Sequence, residues 1–272
     1  MMRRMLTVAA VMAIAMTTLA TAAKDVSFGY HFTPGQAEKY RLKINTAMEM
    51  TGMAASQVAT METTVTCVAK KGDAYAMTLT FDKVEASNTI GGNTTTDPNA
   101  MQMLGKSVTF TVNTHGDVTD IGPGPGFDTW PAVQSVIEPT LKNWYVYLPG
   151  TPVAVGGNWK RDNYRDKSTA GAEYVSNENF MFRQMKKEKG HDVALVDVDV
   201  TTEVGGSTET PVGVFNLAGT GKGKFAFQFE PTTGAIRFFN GTMTTDINMT
   251  PQTGGDPMKT SVKNTIEREM LE

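Results

Sequence analysis

Ala74-Tyr75-Ala76-Met77-Thr78-Leu79-Thr80-Phe81 decides the fold of this chain. Tyr75, Met77, Leu79 and Phe81 take every second position, and alanine and threonine take the others. Successive side chains of a strand point to opposite faces, so this spacing makes one apolar face and one small, hydroxylated face. The alternation recurs on both sides. Tyr40, Leu42 and Ile44 precede it, and Val108, Phe110 and Val112 follow. Further on come Phe180 and Phe182, then Val196, Val198 and Val200, then Phe225, Phe227 and Phe229. Ile236, Phe238, Met243 and Ile247 continue it, and so does the tail through Met258, Val262, Ile266 and Met270. Glycine marks the turns at Lys71-Gly72-Asp73, His115-Gly116-Asp117, Lys189-Gly190-His191 and Thr233-Gly234-Ala235, where a positive φ is needed at little cost. The expected fold is mainly β: a large curved antiparallel sheet, half-barrel-like and built of two similar halves, with one central helical segment.

The helical segment is the exception to period two. Trp130, Val133, Ile137, Leu141 and Trp144 are spaced three or four apart and fall on one helical stripe. Asp128 or Thr129 can cap its start, and Pro131 suits a first turn. Pro139 is expected to kink or split it. Gly122-Pro123-Gly124-Pro125-Gly126 before it and Leu148-Pro149-Gly150-Thr151-Pro152 after it read as linkers, and the polar stretch Asn88 to Asn99 reads as an exposed loop. The chain therefore divides into residues 1–22, a first β half over 23–122, a linker and helix over 123–150, and a second β half over 151–272. A shift of 118 residues superposes Gly72 on Gly190, Gly105 on Gly223 and Gly116 on Gly234. In a chain with 26 glycines that is close to chance, so it supports an ancient duplication only slightly.

Residues 1–22 read as a secretory signal peptide. Arg3 and Arg4 lead an apolar run from Met5 to Leu19, and the small residues Ala20-Thr21-Ala22-Ala23 end it, with cleavage expected after Ala22 or Ala23. An uncleaved membrane anchor needs a longer run of about 20 apolar residues. The product is expected in the periplasm or the medium. It is not expected to be lipid-anchored, because Cys67, the single cysteine, lies far from the cleavage region. One cysteine also excludes an internal disulfide, so packing must hold the fold. No later segment reaches 18 uninterrupted apolar residues, so no transmembrane span is expected after cleavage. The whole chain carries net charge −3, which becomes more negative when Arg3 and Arg4 leave. Its densest basic run, Arg183 to Lys189, is broken by Gln184, Met185 and Glu188 and reads as a solvated strand edge. Nucleic acid is not an expected partner.

Catalysis needs nucleophiles, bases and oxyanion donors brought together, and the sequence assembles none. His31, His115 and His191 sit at turns or near the expected mature start, and Cys67 lies within an apolar strand. Asp197 and Asp199 project from one strand face roughly 6.7 Å apart, opposite the buried face of Val196, Val198 and Val200, and read as a wet surface. Gly219-Thr220-Gly221-Lys222-Gly223-Lys224 resembles a phosphate loop in composition alone, because Ala218 and Phe225 stand where that loop needs Gly and Ser/Thr. No catalytic residue, cofactor or metal site is assigned. Methionine is enriched, with 18 in the chain. Met48, Met50, Met53 and Met61 cluster early, and Met101 and Met103 follow. Thioethers at such spacings suit Cu(I), but with no histidine or cysteine beside them they read first as adaptable apolar surface.

At Tyr40 to Ile44, at Leu104-Gly105-Lys106 leading into Phe110, and at Tyr147-Leu148-Pro149 to Val155-Gly156-Gly157-Asn158-Trp159, the chain resembles the bacterial exported family called domain of unknown function 6263. That family has no assigned catalytic residues to carry over. The strand-rich halves around a helix also resemble, in architecture, the lipoprotein-carrier half-barrel. This second resemblance implies a curved sheet wrapped on helices around an apolar cavity. The leading expectation is an exported, non-enzymatic binding protein holding a lipid-like or other apolar ligand in its concave face. Met48, Met50, Met77, Phe110, Phe227 and Phe229 are the expected lining. The alternatives are an envelope structural or protein-interaction module and, after it, copper handling through methionines.

Overall fold

A computed structural model describes residues 25–50, 52–128, 130–167, 171–210 and 213–272. The expected cleavage residues Ala22 and Ala23, and the helix cap Thr129, lie outside the described residues. The period-two segments form long strands, because β-branched and aromatic side chains pack well on a pleated surface. The first half supplies β1 (Val26–Ser27), β2 (Ala37–Met50), β3 (Met53–Lys71), β4 (Ala74–Ile90) and β5 (Asn93–Thr96). A short α1 (Pro98–Met101), β6 (Ser107–Asn113), β7 (Val118–Pro123) and α2 (Trp130–Lys142) follow. The second half supplies β8 (Pro152–Val153), β9 (Asn158–Lys167), β10 (Ala172–Glu188), β11 (His191–Thr210), β12 (Gly213–Glu230), β13 (Ala235–Pro251) and β14 (Met258–Leu271).

Twelve of these strands make one open sheet in the order β7-β6-β4-β3-β2-β14-β13-β12-β11-β10-β9, with β5 beside β4. Every pairing in it is antiparallel. The first long strand and the last one pair in the middle, Ile44 against Ile266 and Tyr40 against Met270. The two runs of strands therefore grow outward from a central seam as one continuous meander. The turns 71–74, 188–191 and 230–235 lie at one end of the sheet, called here the lower end. The turns 50–53, 90–93 and 251–258 lie at the upper end.

An open sheet has one face to bury and no second sheet to bury it against. Residues 25–32 solve this by crossing the inner face near the lower end. Val26, Phe28, Tyr30 and Phe32 are all buried. Phe28 sits 5.0 Å from the Trp159 ring, 5.2 Å from Phe182 and 5.3 Å from Phe229. Tyr30 meets Tyr145 at 5.0 Å, and Phe32 meets Tyr75 at 5.2 Å. The strap is also fixed through its backbone, by Tyr30 N–H to the Thr114 carbonyl at 3.0 Å and Gly150 N–H to the Phe28 carbonyl at 3.2 Å. β1 pairs with β8 as a separate two-stranded ribbon. Helix α2 and the segment after it complete the cover through Ile137, Leu141, Trp144 and Leu148, all buried.

Two local expectations are corrected. Asn88 to Asn99 is not an exposed loop: β4 runs on to Ile90, turns at Gly91-Gly92 and returns as β5, pairing Thr89 with Thr94. Both glycines have positive φ, 57° and 86°, which is what a two-residue hairpin turn requires, and the flanking threonines suit a strand. Pro139 does not split α2, which runs unbroken from Trp130 to Lys142. Its missing N–H falls in the last turn, where Asn143 N–H still reaches the Pro139 carbonyl at 3.2 Å. A register shift opposite Phe229 also carries Phe239, rather than Phe238, onto the inner face.

Phe28→Ala should remove the centre of this aromatic layer and lower unfolding free energy by about 3–5 kcal/mol. Tyr30→Phe, which loses only the hydroxyl hydrogen bond to the Val146 carbonyl, should cost about 1 kcal/mol. Urea unfolding of both variants measures the difference, and equal midpoints would contradict the strap as the main cover.

Candidate functional site

The cover stops partway up the sheet. The packed core reaches as far as Ile44, Ala59, Val200, Phe225 and Ile266, which are half-buried against it. Above that line the strands continue with the same inward alternation. On β2 the inward residues are Thr46, Met48 and Met50, each half-buried, with exposed Ala47 and Glu49 on the other face. Across the seam Met48 pairs with Val262 and Thr46 with Asn264. Next to them Met243 pairs with Asn264 and Ile247 with Thr260. The result is a concave, mixed apolar and hydroxyl surface.

Its floor is set by a strip of glycines on β12 and β13. Gly219, Gly221 and Gly223 face inward on β12, and Gly241 faces inward on β13. A Cβ built on Gly221 would meet the Met243 methyl at 2.7 Å, and one on Gly223 would meet the Met243 sulfur at 2.8 Å. A Cβ on Gly241 would collide with the Phe225 ring. The absent side chains therefore let Met243 and Phe225 lie flat along the sheet and keep the floor low. Val200, Thr202 and Val204 of β11 border the strip on its other side.

The lower margin of the concave face is polar and fixed. Arg268, only 4% exposed, donates to the Trp144 carbonyl just beyond α2. Its guanidinium lies 5.4 Å from the Tyr40 ring, 4.9 Å from Trp144 and 5.8 Å from Phe239. A helix C-terminus favours a cation, and among the described residues no carboxylate forms an ion pair with Arg268. On the β9 side Arg161 pairs with Asp117 and stacks 3.5 Å from Tyr164, while Lys142 reaches Asp166 at 2.5 Å. Glu178, opposite Arg161 in register, has its carboxyl pushed above the usual range. Burial is the main cause and Asp117 adds to it, against the pull of Arg161.

The residues singled out in the sequence separate. Met77, Phe110, Phe227 and Phe229 are packed into the covered core, none more than 2% exposed. Met48 and Met50 lie above it on the uncovered inner face. Met50 pairs with Met53 across a hairpin, whereas Met61 is buried opposite Leu42. Met103 is buried and Met101 exposed beside α1. Cys67 is buried, which pushes its thiol pKa up. His115 Nδ1 lies 2.9 Å from the Leu148 carbonyl and His191 Nδ1 lies 2.9 Å from Glu230, so both are structural contacts. Asp197 and Asp199 face outward beside Arg183 and Lys224. Arg183 to Lys187 form the exposed lower part of β10, below its pairing with β9. The glycine strip carried its own signal in the sequence, Gly219-x-Gly221-x-Gly223. That spacing has strand period two and places all three glycines on one face of β12.

Among the described residues no group of three or more His, Cys, Asp or Glu side chains is placed to hold a metal ion, and no helix is long and apolar enough to cross a membrane. Two depressions, both shallow, open and lined mainly by outward-facing residues, measure about 290 Å³ beside Glu49, Asp246 and Lys259 and about 370 Å³ beside Asp199, Lys222 and Lys224.

Glu178 gives a pH test. Its folded-state pKa lies above the ordinary value of 4.5, so the stability it contributes is full in acid and is lost as pH rises through the raised value. Wild-type unfolding midpoints should therefore decline over that window, and Glu178→Gln should flatten the decline; parallel profiles would refute the assignment.

No protein-family model matches the chain, and no curated protein matches it. Among solved structures, one described as lipid–protein interactions in lipovitellin is similar over 89% of this chain, with a TM-score of 0.53 and 11% sequence identity. This chain covers 26% of that structure's length. The likeness is one of fold.

Proposed function

We propose that this is an exported binding protein that holds an acyl chain or similar apolar ligand on the upper inner face of its sheet. The observation that carries the reading is the continuation of the inward apolar alternation beyond the core. Met48, Val262, Met243, Ile247, Leu217 and Val200 remain only half-buried, and no described segment covers them. Water against such a face is unfavourable in proportion to its apolar area. Methionine suits it, because an unbranched, polarisable side chain adapts to a flexible guest. The glycine strip supports the reading as well, since a lowered floor admits a long, thin ligand between the flanking side chains. The fold likeness to a structure described by its lipid–protein interactions is consistent with it.

Native mass spectrometry of the purified protein should show co-purifying lipid, and a fluorescent fatty acid should bind with an apolar emission shift. Met243→Asp places a charge on the floor and should weaken that binding about tenfold or more. Thr244→Asp, on the exposed outer face of the same strand, should leave it unchanged. A wild-type protein with neither co-purifying lipid nor fatty-acid binding would sink the proposal.

A further inference from the structure

The two ends of the sheet differ in chemistry. Lower turns carry Lys70, Lys71 and Asp73, then Lys186, Glu188, Lys189 and Asp192, then Glu230 and Arg237. The upper turns 50–53, 90–93 and 251–258 carry fewer charges, and Asp256 is the one charged residue within them. Instead, apolar residues stand at the upper end of the inward row on five adjacent strands: Ile90 on β4, Met53 on β3, Met50 on β2, Met258 on β14 and, followed inward only by Pro251, Met249 on β13. Met50 pairs with Met53, Met249 with Met258 one inward position beyond them, and Ile90 with Ala55 one inward position short of them, so these residues form a slanting line along the mouth of the concave face. Met53 is 45% exposed, Ile90 55% and Met258 38%, among the largest exposures of any apolar side chains described. Five strands at the usual spacing make a row of roughly 19 Å.

We infer that this row is a docking rim for the surface of a zwitterionic lipid bilayer, through which the concave face exchanges its ligand with the membrane. The inference rests on the ligand reading above. Three observations select this occupant. The row is continuous with the apolar inner face, so a lipid pressed to the rim meets the proposed seat without crossing a polar barrier. A contiguous exposed row of this kind is what marks an interaction surface, in contrast to scattered apolar residues. Charge then chooses the lipid. Near the upper turns the acids Glu49, Glu173, Glu209 and Asp256 outnumber the bases Lys167 and Lys259, and Lys167 is paired with Glu173, so there is no basic patch to draw an anionic membrane. Flexible methionines on glycine-containing turns, with Gly52, Gly91, Gly92 and Gly254 at positive φ, can settle among headgroups without reshaping the strands below.

Co-sedimentation with phosphatidylcholine vesicles tests the rim. Wild-type protein should bind, with little change on raising salt or on adding phosphatidylglycerol. The combined variant Met53→Ser, Ile90→Ser and Met258→Ser should bind about tenfold more weakly or worse. A control, Lys70→Ser with Lys71→Ser at the lower end, should bind like wild type. Met53→Trp provides a reading that does not depend on the triple variant's folding. Its added tryptophan should shift to shorter emission wavelength on vesicles and be quenched by brominated phosphatidylcholine. Absence of wild-type binding, binding only to anionic vesicles that salt abolishes, equal binding by the triple-serine variant, or no response of the added tryptophan would each overturn the rim. The two proposals fail separately: fatty-acid binding in free solution without vesicle docking overturns only the rim, and docking without fatty-acid binding overturns only the ligand seat.

Discussion

An open antiparallel sheet of this width has a single large apolar face and nothing in its own topology to bury it. Everything else in the structure depends on how that face is covered. The aromatic strap Val26-Phe28-Tyr30-Phe32 is the central device, because it brings side chains from both halves of the sheet into one layer. Phe28 joins Trp159, Phe182 and Phe229 of the second half, and Phe32 joins Tyr75 of the first. Aromatic pairs at 5–6 Å add to the area they bury. The strap's backbone polar groups are satisfied by the Thr114 carbonyl and the Gly150 amide, as a buried segment outside the sheet requires.

The same constraint explains why the molecule has two regimes. Among the described residues, the strap, α2 and the short segment after it cover the lower part of the face. Arg268 stands at the boundary, its charge held by the carbonyl after α2 and by three rings. Such a group costs desolvation if it has no partners, so its position fixes where α2 ends against the sheet. Above it, the strands are too long for the cover. Their inward residues shift from phenylalanine and leucine to methionine, threonine and glycine, a composition that tolerates partial hydration and an adaptable neighbour. The proposed ligand seat and the proposed membrane rim are consequences of this surplus strand length.

Much of the architecture was legible because period two is set by the geometry of an extended chain and needs no tertiary information. Tyr75 to Phe81, Val196 to Val200 and Phe225 to Phe229 fall on one face in the structure as their spacing requires, and the stripe Ile137, Leu141, Trp144 is buried as its 3.6-residue period requires. The strap was legible in principle, since Val26, Phe28, Tyr30 and Phe32 also alternate, but eight residues cannot show which surface they will cross. Local composition misled at Asn88 to Asn99, where polarity outweighed a Gly-Gly turn between threonine-rich arms. It misled again at Pro139, where a helix end tolerates a lost donor that a helix interior does not.

The candidate site was less legible than the fold for the same reason. Alternation says that Met48, Met77 and Phe227 point inward, and all three do. It cannot say that Met77 and Phe227 are enclosed in the covered core while Met48 is not, because that depends on contacts between residues far apart in sequence. The sequence by itself determined the strand faces, four of the turns and the longer helix α2, through backbone geometry and the local cost of burying polar groups. Only the tertiary structure decided the strand order around the β2–β14 seam, the extent of the cover and the row of apolar residues at the upper end. Those properties belong to side chains brought together across the sheet, and no spacing within one segment encodes them.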